Sequence, residues 1–307
     1  SDYKYNYYAK AEAGSGGVIA EEVIVSHINA YNDTTVTIGK QGTITANKLN
    51  VLAKHDDSVN YEILSAGAAG VSGFGSNFSL TVDSDVAVNI GDISGNTSVL
   101  NTDDSNKIKI NTTEDTSIKA ENSTTKDWLS ATNDGDVGEA DYNALSAGAS
   151  LAGGTGIVNE TNITHTTDIN LDNAVIKANK DASGKNAIVV DAYSNVKSKD
   201  YQYIGTGAVI EAAEINDDNN VIANTNVNVG AGVKLYAGST ELAKQTPTFA
   251  PVSQNNTVTI AGGDIAIGAR NDADMYSKAY VNTWGGVGVV GATNDVIYDG
   301  SANVNFD

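Results

Sequence analysis

The chain has 307 residues, with 18 Lys and Arg against 38 Asp and Glu, a formal charge of −20. So acidic a chain repels phosphate, which excludes nucleic acid as a partner, and the absence of Cys excludes disulfides and zinc–thiolate sites. No apolar run approaches the roughly 20 residues of a membrane helix, and Ser1–Lys10 lacks a charged-then-apolar export signal, so any targeting peptide has been removed or lies upstream.

There are 31 Gly and only 2 Pro, and Arg270 is the single Arg. Val and Ile among Thr and Asn favour strands, and frequent Gly, Asn and Asp favour turns between them. The class is all-β. In chain order, apolar–polar alternation predicts strands at 36–38, 44–46, 49–53, 86–90, 108–110, 169–171, 175–178, 227–229, 258–260 and 265–267. The inward positions are Val36, Ile38, Ile44, Val51, Val88, Ile90, Ile169, Leu171, Val227, Val229, Ile265 and Ile267. Turn groups such as Gly39–Gly42 and Gly262–Asp264 follow. Strands this short and this frequent predict a solenoid of roughly 12–15 coils at about 4.8 Å each, a rod on the order of 60–70 Å long.

A longer repeat is superimposed. Aromatic anchors followed by small residues recur at Tyr8, Tyr61, Tyr142, Tyr203 and Tyr280, spaced 53, 81, 61 and 77 residues apart. From each of the first four anchors to the last apolar residue of the next V-x-I strand the distance is 30, 29, 29 and 26 residues, which marks a degenerate duplication, and the unequal anchor spacing marks insertions, placed at about 94–136 and 240–256. The second holds both prolines, Pro247 and Pro251. Residues 1–307 thus form one elongated domain. Between strand and anchor, as at Lys54–Asn60 and Gly268–Met275, the composition predicts an acidic turn.

The carrying segments are V-T-I-G at 36–39, I-T-A at 44–46 and L-N-V-L-A at 49–53, with I-N-L at 169–171, V-I-K-A at 175–178, V-N-V-G at 227–230 and K-L-Y-A at 234–237. With the small-residue stretch after each aromatic, they resemble the repeat regions of large bacterial surface adhesins of the filamentous-haemagglutinin and leukotoxin-like kind. The resemblance implies a right-handed parallel β-helix, the shaft of such a protein, at the bacterial cell surface. The family's export domain carries an N-P-N type motif, which this chain lacks.

Parallel β-helices also carry polysaccharide-cleaving enzymes, and Asn101-Thr-Asp103-Asp104 resembles the N-T-D element of pectin hydrolases. Their G-H-G and R-x-K elements are missing: His27, His55 and His165 are isolated, as solvated or turn residues are, and Arg270 stands alone. The glycines at 14–17 and 285–288 lack the G-K-[ST] of a phosphate loop and read as small residues packing against neighbouring coils. No cofactor is required by any motif. Calcium is the one worth weighing: Asp134, Asp136, Glu139 and Asp141 concentrate hard oxygen ligands around two glycines, and Asn216-Asp217-Asp218-Asn219 is a second cluster. Neither fits an EF-hand or calcium-roll spacing, and a solvated acidic loop is the simpler reading.

The sequence therefore favours a non-enzymatic structural and adhesive shaft segment of an extracellular surface protein or filament. A β-helical carbohydrate-active enzyme and a ligand-binding solenoid are the alternatives. Neither end reads as a cap: Asp2–Tyr8 opens on an aromatic anchor and Ala302–Phe306 stops on a strand. Copies of the chain, stacked head to tail, are the expected partner, with host surface or carbohydrate the further candidate.

Overall fold

The computed structural model describes residues 1–93, 107–127, 143–179, 187–238, 259–261 and 265–306. Every regular element among them is a strand, and no helix is long and apolar enough to cross a membrane. Six strands are β1 (Asp2–Ile38), β3 (Leu49–Gly91), β5 (Thr116–Asp127), β6 (Ala144–Asp172), β8 (Ile188–Val229) and β11 (Ile265–Phe306). Five are short: β2 (Gly42–Ala46), β4 (Ile108–Thr112), β7 (Ala174–Ala178), β9 (Lys234–Ala237) and β10 (Thr259–Ala261). All pairing between them is parallel.

The long strands stack as five levels: β1, β3, the pair β5 and β6 side by side, β8, and β11. The short strands form a second stack in the order β2, β4, β7, β9, β10. Asp2 faces Lys54, Ile63 faces Ala144, Ala144 faces Gln202 and Ile188 faces Ile265, so the chain returns to an equivalent point after 52, 81, 58 and 77 residues. The aromatic spacings of 53, 81, 61 and 77 lie within three residues of these stacking periods. The anchors themselves are not all equivalent: Tyr203 faces Tyr280, but Tyr61 faces Ala9 rather than Tyr8.

Each level doubles back on itself. Within β3 the rings of Tyr61 and Phe78 stack with centroids 3.5 Å apart, and within the third level Thr124 of β5 meets His165 of β6. The fold-back lies at Val18, Gly70, Leu151, Val209 and Gly286, the positions that the register skips. There the inward-facing parity changes, from odd to even numbers in β3. Space at this tip is short. A Cβ on Gly67 would lie 2.4 Å from the Phe74 ring, and one on Gly285 would lie 1.8 Å from the carbonyl oxygen of Ala208 on the next level. Gly285 and Gly286 thus pack closely between levels, whereas a Cβ on Gly288 would meet its nearest neighbour at an ordinary 3.8 Å.

Two expectations are corrected. There are five levels among the described residues, not 12–15 coils, because each coil is longer than the short apolar pieces suggested. The stack is therefore about 20 Å high, while each limb of some twenty residues runs on the order of 65 Å. The predicted acidic turns at Lys54–Asn60 and Gly268–Met275 are continuous strand inside β3 and β11. Of the stretch 94–136, residues 108–127 form β4 and β5; residues 94–106, 128–136 and all of 240–256 lie outside the described residues. Asn60 faces Asp127 but Ile63 faces Ala144, so the third level carries its extra length between Asp127 and Ala144.

The core has two apolar blocks. One fills the base between the limbs and the short strands, around Val88, Ile110, Ile176, Val190 and Leu235; all twelve predicted inward residues belong to it or pack on it. The other lies toward the tip, around Tyr61, Phe78, Leu80, Ile163 and Ile215.

Replacing Gly67 by Ala pushes a methyl into Phe74 and should cost about 1–3 kcal/mol. Gly207→Ala meets its nearest neighbour, the Trp284 carbonyl oxygen, at an ordinary 3.6 Å, and should leave the urea midpoint unchanged or raised. Equal midpoints for both variants would contradict the packed tip.

Candidate functional site

Two features stand out in this frame: a polar band sealed between the apolar blocks, and the open edges of the first and last levels.

The band arises because inward positions of the limbs are not all apolar. In β3, His55 and Asp57 point inward opposite Ser84, and His55 Nε2 lies 2.9 Å from Asp57 Oδ1. One level on, Asn122 Nδ2 donates to the Ser84 carbonyl at 2.8 Å. His165 sits between Thr124 Oγ1, at 2.7 Å, and Ser194 Oγ, at 2.9 Å. Nearer the tip, Lys126 is wholly buried, with its Nζ donating to Asp200 Oδ2 at 2.6 Å and to Thr161 Oγ1. Tyr61 Oη lies 2.9 Å from Asp200 Oδ1 and 2.7 Å from Asn159 Oδ1, and Lys126 Nζ is 5.1 Å from its ring. Asp217 accepts from Asn159, Asn219 and Ser277. A buried ammonium and two carboxylates persist here because each is ion-paired or hydrogen-bonded, the condition for taking charge out of water.

His55 and His165 are therefore interior residues rather than solvated ones, and only His27 of the three faces solvent. Burial, and then His55, hold the His165 imidazole down to about 3. Burial, and then Asp200, push the Asp217 carboxyl up to about 6 against the hydrogen bonds from Ser277 and Asn159. These groups have a histidine–hydroxyl and carboxylate–ammonium chemistry, but they are enclosed, and no substrate reaches them in this conformation. A groove of about 210 Å³ across the ends of β2, β4, β7 and β9 is lined by Thr45, Asn111, Lys177 and Tyr236 among others, and holds no carboxylate.

Of the calcium candidates, Asp134, Asp136, Glu139 and Asp141 lie outside the described residues, as do Asn101, Asp103 and Asp104. The cluster at 216–219 is no loop. It lies in β8, where alternation sends Asp217 and Asn219 inward and Asn216 and Asp218 outward, so the four cannot share one ion. Among the described residues no group of three or more His, Asp or Glu could hold a metal.

The second feature is at the ends. β1 and β11 each pair on one side only, so each presents a row of unpaired N–H and C=O groups, a template for another strand. The apolar interior is open there too. Val229 is 1 % exposed, whereas its partner one level up, Phe306, is 53 % exposed; Val221 and Tyr298 stand at 0 % and 42 %. On β1, Tyr3 and Tyr5 are likewise exposed, their rings stacked 6.4 Å apart.

Outward-facing ladders run toward these edges. Asn170 donates to Asn89, Asn228 to Asn170 and Asn305 to Asn228, at 2.9, 2.8 and 2.8 Å. Charges alternate in the same register: Lys4 with Asp56 at 3.6 Å, Lys10 with Glu62 at 3.4 Å and Lys54 with Glu121 at 3.9 Å. Such exposed pairs contribute under about 1 kcal/mol each, but a register slip would break all of them. Sequence reasoning found the ends through their lack of caps; it missed the polar band, for which the alternation of Lys54–Asn60 was the available signal.

Compared with models of protein families, with characterised proteins and with solved structures, the chain matches none.

The band makes stability depend on pH in two opposed ways. His165 has a depressed folded value, so its contribution is complete above about pH 6.5 and is lost as the pH falls toward 3. Asp217 has a raised value, so its contribution is complete below about 3.8 and is lost as the pH rises through 6. His165→Gln, which can keep both hydroxyl partners, should flatten the acid-side loss, on the order of 4 kcal/mol. Asp217→Asn should be more stable than the parent above pH 6, by about 2 kcal/mol. Urea midpoints from pH 3.5 to 8 measure both; parallel curves for parent and variants would remove the assignment.

Proposed function

We propose that the chain is a non-enzymatic structural and adhesive segment of an extracellular bacterial surface protein or filament, a right-handed parallel β-helix that continues beyond its own first and last levels. The observation that carries this reading is the pair of open edges, each long, apolar on its inner side and ungated by any covering element among the described residues. A long edge whose inner side is apolar is a template for further strand pairing, and the charges it carries on its outer side are suited to select the strand that pairs. Supporting it are the Asn- and Thr-rich acidic composition without Cys, the adhesin-like repeat segments, and the enclosure of His55, His165, Asp57, Asp200 and Asp217.

Electron microscopy and light scattering across a concentration series test it. The expected result is particles that lengthen along the stacking axis as concentration rises, and no release of sugar ends from pectin, alginate or glycosaminoglycan. A particle of constant monomeric mass at the highest concentration, or cleavage abolished by Asp103→Asn, overturns the reading.

A further inference from the structure

The reading above leaves open what meets the two edges. We propose that it is a second copy of this chain, with the β1 edge of the upper copy seated in parallel on the β11 edge of the lower one, equivalent residues in register. This rests on the end-to-end reading and adds the register.

Three columns of facing residues carry it. Asp2 faces Lys54, Lys54 faces Glu121, Glu121 faces Tyr193 and Tyr193 faces Arg270. Adding Asp2 of the upper copy places a second carboxylate by the chain's single guanidinium, which lies over the Tyr193 ring and 3.5 Å from Asp191 on the level below. Beside it, Lys4, Asp56, Ser123, Asn195 and Asp272 form the next outward column, and Lys4 of the upper copy meets the Asp272 carboxylate. On the returning limb the column is Thr37, Asn89, Asn170, Asn228, Asn305. Asn305 uses its Nδ2 toward Asn228; its Oδ1 faces the open edge, where the hydroxyl of Thr37 from the upper copy is the donor. One like-charged pair arises, Lys10 over Lys278, and Lys10 is already held by Glu12 at 2.8 Å. A slip by two residues would set Asp2 of the upper copy on Asp272, or Lys4 on Arg270, and strand parity forbids a slip by one.

The short strands give an independent argument. β2, β4 and β7 each link one level to the next, but β9 and β10 both lie between β8 and β11. Their stack therefore has one strand more than four connections need. β10 sits beyond β9, in the place of the short strand that would lead into a sixth level. A copy placed on top, with its β1 on β11, sets its β2 on β10, giving five long and five short levels per copy among the described residues. An unrelated sheet edge would match neither the charge columns nor this offset. The joint is heterologous and does not close, so it propagates.

The chain has no Cys, so engineered pairs report directly. Thr37 and Asn305 are exposed, and in the proposed register their Cα atoms lie about 4.8 Å apart, within disulfide range. Oxidised T37C/N305C protein should run as a ladder of multimers that collapses with reductant. T35C/N305C, displaced by two residues to about 8 Å, should not. Circular dichroism checks that both variants fold. Arg270→Asp should weaken assembly by light scattering, and adding Asp2→Arg should restore it. If assembly proceeds but T37C/N305C gives no ladder, or both pairs cross-link equally, the register is wrong while the end-to-end reading stands. If the parent protein stays monomeric, both fall.

Discussion

Parallel stacking in register places every side chain about 4.8 Å from its equivalent on the next level, and the rest of this molecule follows from that repetition. Whatever occupies a column must tolerate a neighbour like itself above and below. Aliphatic residues do so without penalty, and the base of the coil is built from such columns: Val51, Ile118, Val190 and Ile267 in one limb, Ile90, Leu171 and Val229 in the other. Amides tolerate it because each Asn both donates and accepts, which produces the ladder from Asn89 to Asn305. Charged residues tolerate it only when sign alternates, as in Asp2, Lys54 and Glu121.

The same constraint explains the interior band. Lys126, Asp200 and Asp217 do not occupy one column. Lys126 pairs with Asp200 between neighbouring outgoing limbs, Asp217 meets Asn159 within its own column, and the contacts Lys126–Thr161, Tyr61–Asn159 and Ser277–Asp217 cross from outgoing to returning limb. A pair buried this deeply contributes little net stability compared with aliphatic packing. The band does fix geometry, because sliding one limb against the other would break those crossing contacts. The apolar blocks on either side supply the burial, and the band holds the limbs in alignment.

Repetition has a cost at the ends, where a column stops without a neighbour. In the inner levels, backbone groups and aliphatic side chains are covered on both sides; at β1 and β11 they are covered on one. In the proposed register the two ends carry residues that suit each other across the molecule's height. Asp2 and Lys4 at one end have their complements in Arg270 and Asp272 at the other, a relation invisible within one copy. The proposed end-to-end association extends between chains the stacking that operates inside one.

The strand composition, the aliphatic columns and the stacking period were legible in the sequence, because they depend on local alternation and on distances along the chain. Spacings of 53, 81, 61 and 77 fall within three residues of the structural periods. The number of levels was not legible. Lys54–Asn60 reads as an acidic turn since nothing local says that His55 and Asp57 will be enclosed by Ser84 and the levels beside them. Likewise Asn216–Asn219 reads as a ligand cluster until a strand assigns its residues to opposite faces. Inward polar residues such as Lys126 and His165 are met by partners distant in sequence, and those partners are in place only once the limbs fold back and stack. Which residues are apolar was written in the chain; which polar residues could be buried was decided by the tertiary structure.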